Sequence, residues 1–349
     1  MKIKNEMVSG RSARSGAATL ADVAAQAGVS TVAASVVLNR SRTGTRVSAA
    51  TRERILEAAT RLQYRPNAVA RSLQKKRTDM IAFYNAQNTV FDPRYPFFAA
   101  ILAGMQAGCE QHHKDLLIHG RFHASSPDDI FLRLLDGQID GLILYARTVT
   151  PLIEQLVESH LPVVTVAEEV PGVPYVGIDE TSGGKFLARH LASKGYRRVL
   201  YRSTDEEMLP LTQQERMQAF CEEATALGLT VLHSRSNPST NLPTAQEREM
   251  LLSQDGQRPD AIACWGDVSA DGIVQFCLHK GLRIPQDIAL AGFDNLPSTR
   301  RPALRLTTVR APWVEVGRTA VGLLAAQCQG EEVPRKTVLP VELVVGDTT

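Results

Sequence analysis

Hydrophobic positions follow two different spacings along the chain, short helical runs up to about residue 65 and strand-helix alternation from about residue 79. In the first region Leu20, Val23, Ala24 and Ala27 recur at helical spacing behind Thr19, a helix cap that Asp22 can answer three residues on. Gly28 suits a left-handed turn, and Val29 faces inward. Ser30 caps a second helix from Thr31 to about Leu38, whose Ala34, Val37 and Leu38 pack back on the first. A third helix starts behind Ser48 and brings Ile55, Ala59 and Leu62 to the same small core. Pro66 then breaks the pattern and Asn67 can cap. The run AVARSL that follows is too short to hold a helix in water alone, so its folding would be coupled to a partner.

The second region alternates strand candidates (DMIAFYN, DLLIHG, DGLILYA, LPVVTVA) with amphipathic helices such as FFAAILAGMQAGCEQHH. The rhythm restarts at YVGIDE and continues through RRVLYRS, TVLHS, DAIACWG and DIALAGF with helices between them. Two successive βαβ series predict two lobes of mainly parallel sheet with helices on both faces. A ligand cleft is then expected at the carboxyl ends of their strands.

Charge sharpens this division. The net charge of the 349 residues is only +2, but residues 1–78 carry 15 Lys plus Arg against 4 Asp plus Glu, while the remainder carries 24 against 33. A basic head on an acidic body is the distribution expected of a polyanion-binding module joined to a soluble domain. The cysteines at 109, 221, 264, 277 and 328 form no C-x-x-C pair, which fits structural thiols in a reducing compartment and places the chain in the cytoplasm. Residues 1–18 are basic without an apolar run and read as a disordered arm. No window is long enough to span a bilayer.

Chemistry finds little support. TSGGKF lacks the spacing and the hydroxyl residue of a phosphate loop, and no dinucleotide fingerprint is present. His112 and His113 lack a nearby third metal ligand, and no serine lies in a G-x-S-x-G setting. The expectation is a protein that is not an enzyme and uses neither cofactor nor metal. A sugar-binding protein without a DNA role is the alternative, and the intact cap, turn and hinge run argues against it.

Taken together, LADVAAQAGVS, VVLN and RVSAATRERILEAATRLQYRPNAVARSL resemble the helix-turn-helix headpiece and hinge of the lac and gal repressor (LacI/GalR) family. The resemblance implies a DNA-binding domain over 19–65 and a hinge helix and linker over 66–78. In the headpiece the implied DNA contacts are Thr19, Ser30, Thr31, Val32, Ser35, Val36 and Asn39, and in the hinge Asn67, Ala70, Arg71 and Leu73. Leu73 corresponds to an apolar wedge between central base pairs, which exchanges stacking for a bent site. The chain departs from the family at Val36, where an arginine commonly stands. Val36 and Val32 can each touch a thymine methyl, and Arg40, Arg42 or Arg46 could supply the missing polar contact.

The body carries the same resemblance in YPFFAAILAGMQAG, VGIDETSGGKFLARHLASKGYRRV, ERMQAF and RPDAIACWGDVSADGIVQF, extending it over about residues 19–345. It implies a periplasmic-binding-protein-like fold over 79–349, with lobe 1 at about 79–172 and 310–334 and lobe 2 at about 173–306 and 335–349. The implied effector contacts are Phe98, Tyr145, Asp179, Arg216, Trp265 and Asp294, with Arg216 and Asp294 as the leading pair. Carboxylates and an arginine can grip vicinal hydroxyls, and an aromatic plate suits a sugar's C–H face. The segment Ala86 to Pro96 could place Phe91 or Arg94 over the cleft mouth. The partners expected are double-stranded operator DNA, a sugar or sugar derivative and a second copy of the chain, the absence of a heptad tail favouring a dimer over a tetramer. Release from DNA by the effector is favoured over corepression.

Overall fold

The computed structural model describes residues 18–39, 46–65, 72, 77–87, 96–118, 126–204, 210–236, 241–253, 256–298 and 304–349. The chain divides into two units, Met1–Thr78 and Asp79–Thr349.

In the first unit α1 (Leu20–Ala27) starts in a capping box: Thr19 Oγ1 accepts from the Asp22 amide at 3.3 Å, and Asp22 Oδ2 accepts from the Thr19 amide at 2.8 Å. Gly28 ends it at φ 64°, and α2 (Thr31–Leu38) follows at 107° to α1 behind Ser30, whose Oγ accepts from the Ala33 amide. The third helix, α3 (Ala49–Arg61), is capped by Ser48. Val23, Ala24, Ala27, Ala34, Val37, Ile55, Ala58 and Ala59 form its core, with Leu38 and Leu62 at the margin. Small residues let α1 and α2 cross steeply at close range and pack on α3. The left-handed backbone at Gly28 is where a side chain is penalised, although the space there is open, with Arg54 Nη1 3.9 Å from an added Cβ. Gly28→Ala should therefore cost the head about 1 kcal/mol, read as faster amide exchange across α1 and α2 in the full chain; unchanged exchange would contradict this.

In the second unit one sheet runs β11-β5-β4-β3-β1-β2, built from β1 (Met80–Asn85), β2 (Asp115–Ile118), β3 (Gly141–Tyr145), β4 (Val163–Val166), β5 (Tyr175–Ile178) and β11 (Lys336–Leu339). All its pairs are parallel. The helices of this lobe are α4 (Pro96–His112), α5 (Pro127–Leu134), α6 (Pro151–Glu158) and α11 (Trp313–Cys328). The second sheet runs β12-β10-β9-β8-β6-β7, from β6 (Arg198–Ser203), β7 (Thr230–Arg235), β8 (Ala261–Cys264), β9 (Ala289–Asp294), β10 (Thr307–Arg310) and β12 (Glu342–Val344). Only β12 is antiparallel to its neighbour, and α7 (Glu180–Ser193), α8 (Leu211–Ala226), α9 (Ala245–Leu252) and α10 (Asp267–Lys280) complete the lobe. Strands β3, β4, β5 and β8 are buried throughout, as covered parallel strands require. Helices α4 and α11 approach closely because a Cβ at Gly104 or Gly317 would collide with the other helix's backbone.

The lobe boundaries need correction. β5 and β11 pair with each other and lie in the first sheet, whereas the sequence reading placed 173–306 and 335–349 in the second lobe. β12, from the LPVELVV segment, does join the second sheet. The chain thus crosses between lobes three times: at Asp179, between Arg310 and Trp313, and between Leu339 and Glu342.

Candidate functional site

A cavity of about 820 Å³ opens between the lobes. Arg147 and Glu169 reach it from the carboxyl ends of β3 and β4, Tyr175 and Lys336 from β5 and β11, and Thr212 and Glu215 from the start of α8. Its volume lies within the range of small-molecule pockets. Of the six expected effector contacts, Asp179 is on its lining. That carboxylate also caps α7, accepting from the Ser182 amide at 2.9 Å and the Ser182 hydroxyl at 2.6 Å.

The leading pair is arranged differently from the expectation of two free hydrogen-bonding groups. Arg216, 4% exposed on α8, donates from Nε and Nη2 to the two carboxylate oxygens of Glu180 at 2.6 and 3.0 Å, and from Nη1 to the Trp265 carbonyl at 2.5 Å. Its guanidinium carbon lies 3.4 Å from the centre of the Phe293 ring. Burial works against the Arg216 charge, but Glu180 outweighs it and holds the pKa above the ordinary arginine value. All three guanidinium nitrogens are thus already engaged inside the protein. Such a fork-on-fork pair orients α7 against α8.

Asp294, at the end of β9, accepts from Trp313 Nε1 at 3.0 Å, which bridges the second lobe to the first. Burial, opposed by Arg216, pushes its carboxyl up to about 8. The backbone there is left-handed, with φ 104° at Asp294 and 55° at Asn295. A second bridge joins Thr212 to Glu168, just beyond β4, with Thr212 Oγ1 donating to Oε1 at 3.0 Å. Burial raises the Glu168 carboxyl to about 7, against the lowering effects of the Thr212 hydroxyl and Arg147.

Phe98 and Tyr145 belong to one aromatic cluster. Their ring centres are 5.2 Å apart edge to face, and Phe97 sits 4.8 Å from Trp313. Tyr145 is buried and its hydroxyl accepts from Arg147 Nε at 3.2 Å, so it holds a cavity-lining arginine. The Trp265 indole N–H is enclosed without a hydrogen-bond partner among the described residues. Sequence reasoning missed Glu168, Glu180, Thr212 and Trp313. ETSGG after the buried strand YVGI offered one signal, because an acidic residue in that position is poorly placed for solvent.

In the head, Thr19 and Ser30 are exposed and serve as caps. Thr31 and Val32 are exposed, whereas Ser35 is half-buried and accepts from Asn39 Nδ2 at 3.0 Å. Val36 is buried, at 8% exposure, which removes it as a thymine-methyl contact; Val32 is 61% exposed. Arg46 is exposed. Asn67, Ala70, Arg71 and Leu73 lie outside the described residues, as do Arg40, Arg42, Phe91, Arg94 and the arm at 1–17.

Comparison with known proteins decides the family. Residues 19–67 match the bacterial regulatory proteins of the lacI family, and residues 188–349 match a periplasmic binding protein-like domain. The HTH-type transcriptional repressor CytR of Escherichia coli is 30% identical over 341 residues, spanning 95% of this chain and 96% of that protein. The chain belongs to the LacI family. The HTH-type transcriptional repressor PurR of Vibrio cholerae is 28% identical over 342 residues, 95% of this chain and 98% of that protein. Among solved structures, the lac repressor dimer bound to operator and the anti-inducer ONPF aligns with TM-score 0.79 at 22% identity, covering 95% and 99% of the two chains. A complex of the transcriptional regulator CelR with cellobiose aligns with TM-score 0.65 at 26% identity, covering 95% and 100%. This LacI-family protein is a sequence-specific DNA-binding transcriptional regulator, not an enzyme. Among the described residues no single helix is long and apolar enough to cross a membrane.

Proposed function

We propose that this regulator is a repressor that binds a roughly palindromic operator as a homodimer and is released by a small, uncharged, sugar-like effector. The observation that carries the reading is the inter-lobe cavity of about 820 Å³ in a chain that also has a helix-turn-helix head. Two CytR and PurR relatives named as repressors and the cellobiose complex of CelR support it. With Arg216 committed to Glu180, the cavity's cations are Arg147 and Lys336, Lys336 is held by Glu169, and Asp179 and Glu215 add negative charge to the lining, so neutral sugars are favoured over acidic ones. Effector contacts are assigned to Asp179, Arg147 and Tyr175 at the cavity. Phe98, Tyr145, Arg216 and Asp294 shape the walls behind them. In the DNA complex the hinge residues Asn67, Ala70, Arg71 and Leu73 are assigned to the operator centre.

The population of lobe arrangements would be shifted by as much as the effector's affinity differs between them. A thermal-shift screen of the full chain against neutral mono- and disaccharides, acidic sugars and purines should find stabilisation by a neutral sugar. That sugar should then weaken operator binding. Stabilisation by purines alone would overturn the sugar reading, and tighter operator binding on adding the hit would replace induction with corepression.

A further inference from the structure

The cavity between the lobes has two kinds of lining. Arg147, Tyr175 and Asp179 bring polar groups to it, whereas Val149, Leu211 and Val338 bring large aliphatic side chains that are 46%, 63% and 43% exposed. Scattered exposed aliphatic side chains are ordinary, but three that converge on one concave site hold apolar surface in water where a ligand can cover it. Local structure fixes each of them. Val149 precedes Thr150, the cap of α6, and Leu211 opens α8 behind Pro210. On β11 Lys336 and Val338 are exposed while Thr337 and Leu339 are half-buried, so strand alternation turns Val338 to the cavity beside Lys336.

The polar and apolar parts meet at Tyr175. β5 and β11 pair Tyr175 with Lys336 and Gly177 with Val338, and an added Cβ at Gly177 would collide with the Tyr175 hydroxyl. The ring therefore lies along β5 over the glycine, which brings its hydroxyl alongside Val338. Burial, helped by the carboxylates of Glu180 and Glu168, raises the pKa of the phenol, so it meets a ligand as a neutral hydroxyl. A ligand oxygen bonded to Tyr175 has aliphatic walls immediately beyond it. We infer that the effector is a glycoside, a neutral sugar held by Arg147, Asp179 and Tyr175 whose glycosidic substituent is an apolar group seated among Val149, Leu211 and Val338. Leu211 belongs to the second lobe and the two valines to the first, so such a substituent touches both lobes and favours their closed arrangement. A free monosaccharide, polar around its whole rim, would leave the three aliphatic side chains uncovered.

Because this rests on the sugar reading of the cavity, the test separates the two. The full-length chain is titrated calorimetrically with the methyl and the phenyl β-D-glycosides of glucose, galactose, xylose and ribose. Covering about 100 Å² of apolar surface corresponds to roughly 70-fold in affinity. For the sugar that binds, the phenyl glycoside should therefore exceed the methyl glycoside by at least about tenfold. In a chain carrying both Leu211→Gln and Val338→Thr that preference should fall below about threefold, because the walls that receive the ring have become polar. Both positions are exposed, glutamine is a good helix former and threonine suits a strand, so the variant retains the fold. Phenyl and methyl glycosides that bind alike, or a phenyl preference undiminished in the variant, overturn the glycoside inference and leave the sugar reading in place. Absence of binding by every one of these glycosides also overturns it, and the free sugars of the thermal-shift screen then decide the sugar reading by themselves.

Discussion

Glu180→Ala should destabilise the body by about 3–5 kcal/mol, the range for breaking a buried ion pair from one side. The effect comes from what is left behind. Arg216 is 4% exposed, and without Glu180 its Nε and Nη2 lose the acceptors now at 2.6 and 3.0 Å, leaving the Trp265 carbonyl and the Phe293 ring. Asp294 is the nearby carboxyl that could respond. Burial holds it up at about 8 despite Arg216, and loss of Glu180 removes one of the charges that raise it, so Asp294 would offset part of the unpaired guanidinium charge while still paying for its own burial. Urea unfolding of the full chain, followed by fluorescence of Trp265 and Trp313, checks the loss, since both tryptophans lie in the body. Replacing both partners together by Met should recover most of it, because an apolar pair needs no compensation. A loss below about 1 kcal/mol for the single variant would mean that the pair is solvated in solution.

Glu180 also marks the limit of what the sequence could reveal. Local rules carried the head well: the capping box at Thr19, the left-handed Gly28 and the Ser30 cap each depend on residues within three or four positions of one another. The βαβ rhythm was likewise legible, since apolar runs and amphipathic helices are local patterns. Lobe membership was not, because β11 pairs with β5 across some 160 residues, and strand pairing at that separation leaves no periodic trace. The exposed side of α2 was obscured for a different reason. With Thr31 and Ser35 as its two polar residues, the helix is apolar nearly all round, so its pattern could not separate buried Val36 from exposed Val32. Arg216 was recognisable as a residue of the site, but its availability depended on a partner 36 residues away. The cavity-lining residues Arg147, Tyr175 and Thr212 were missed because they come from three elements that only the folded chain brings together.

Glu168→Gln should make the body more stable at pH 8 while changing it little at pH 5. Glu168 is 5% exposed and its carboxyl is raised by burial from the ordinary 4.5 to about 7. Between those values the folded chain holds a proton that the unfolded chain releases, so this group favours folding as pH falls through 7 and penalises it as pH rises. The penalty approaches about 3 kcal/mol above pH 7 and vanishes below pH 4.5. Glutamine has no charge to desolvate and can still accept from Thr212, so the variant should lose one proton's worth of pH dependence. The same side chain joins the lobes, because Thr212 belongs to α8 and Glu168 follows β4. If opening hydrates the carboxyl, closure in the wild type gains about tenfold from pH 8 to pH 6. Arg147 and Arg216 favour the ionised form, while Glu180 opposes it, so these groups set the exact midpoint without reversing the sign. Stability measured by urea at pH 5, 6, 7 and 8 tests the fold term, and dye pairs placed on the two lobes test closure. A stability difference between wild type and Glu168→Gln that is independent of pH would show that Glu168 is already hydrated in the folded chain, and the inter-lobe bridge would then carry no proton linkage.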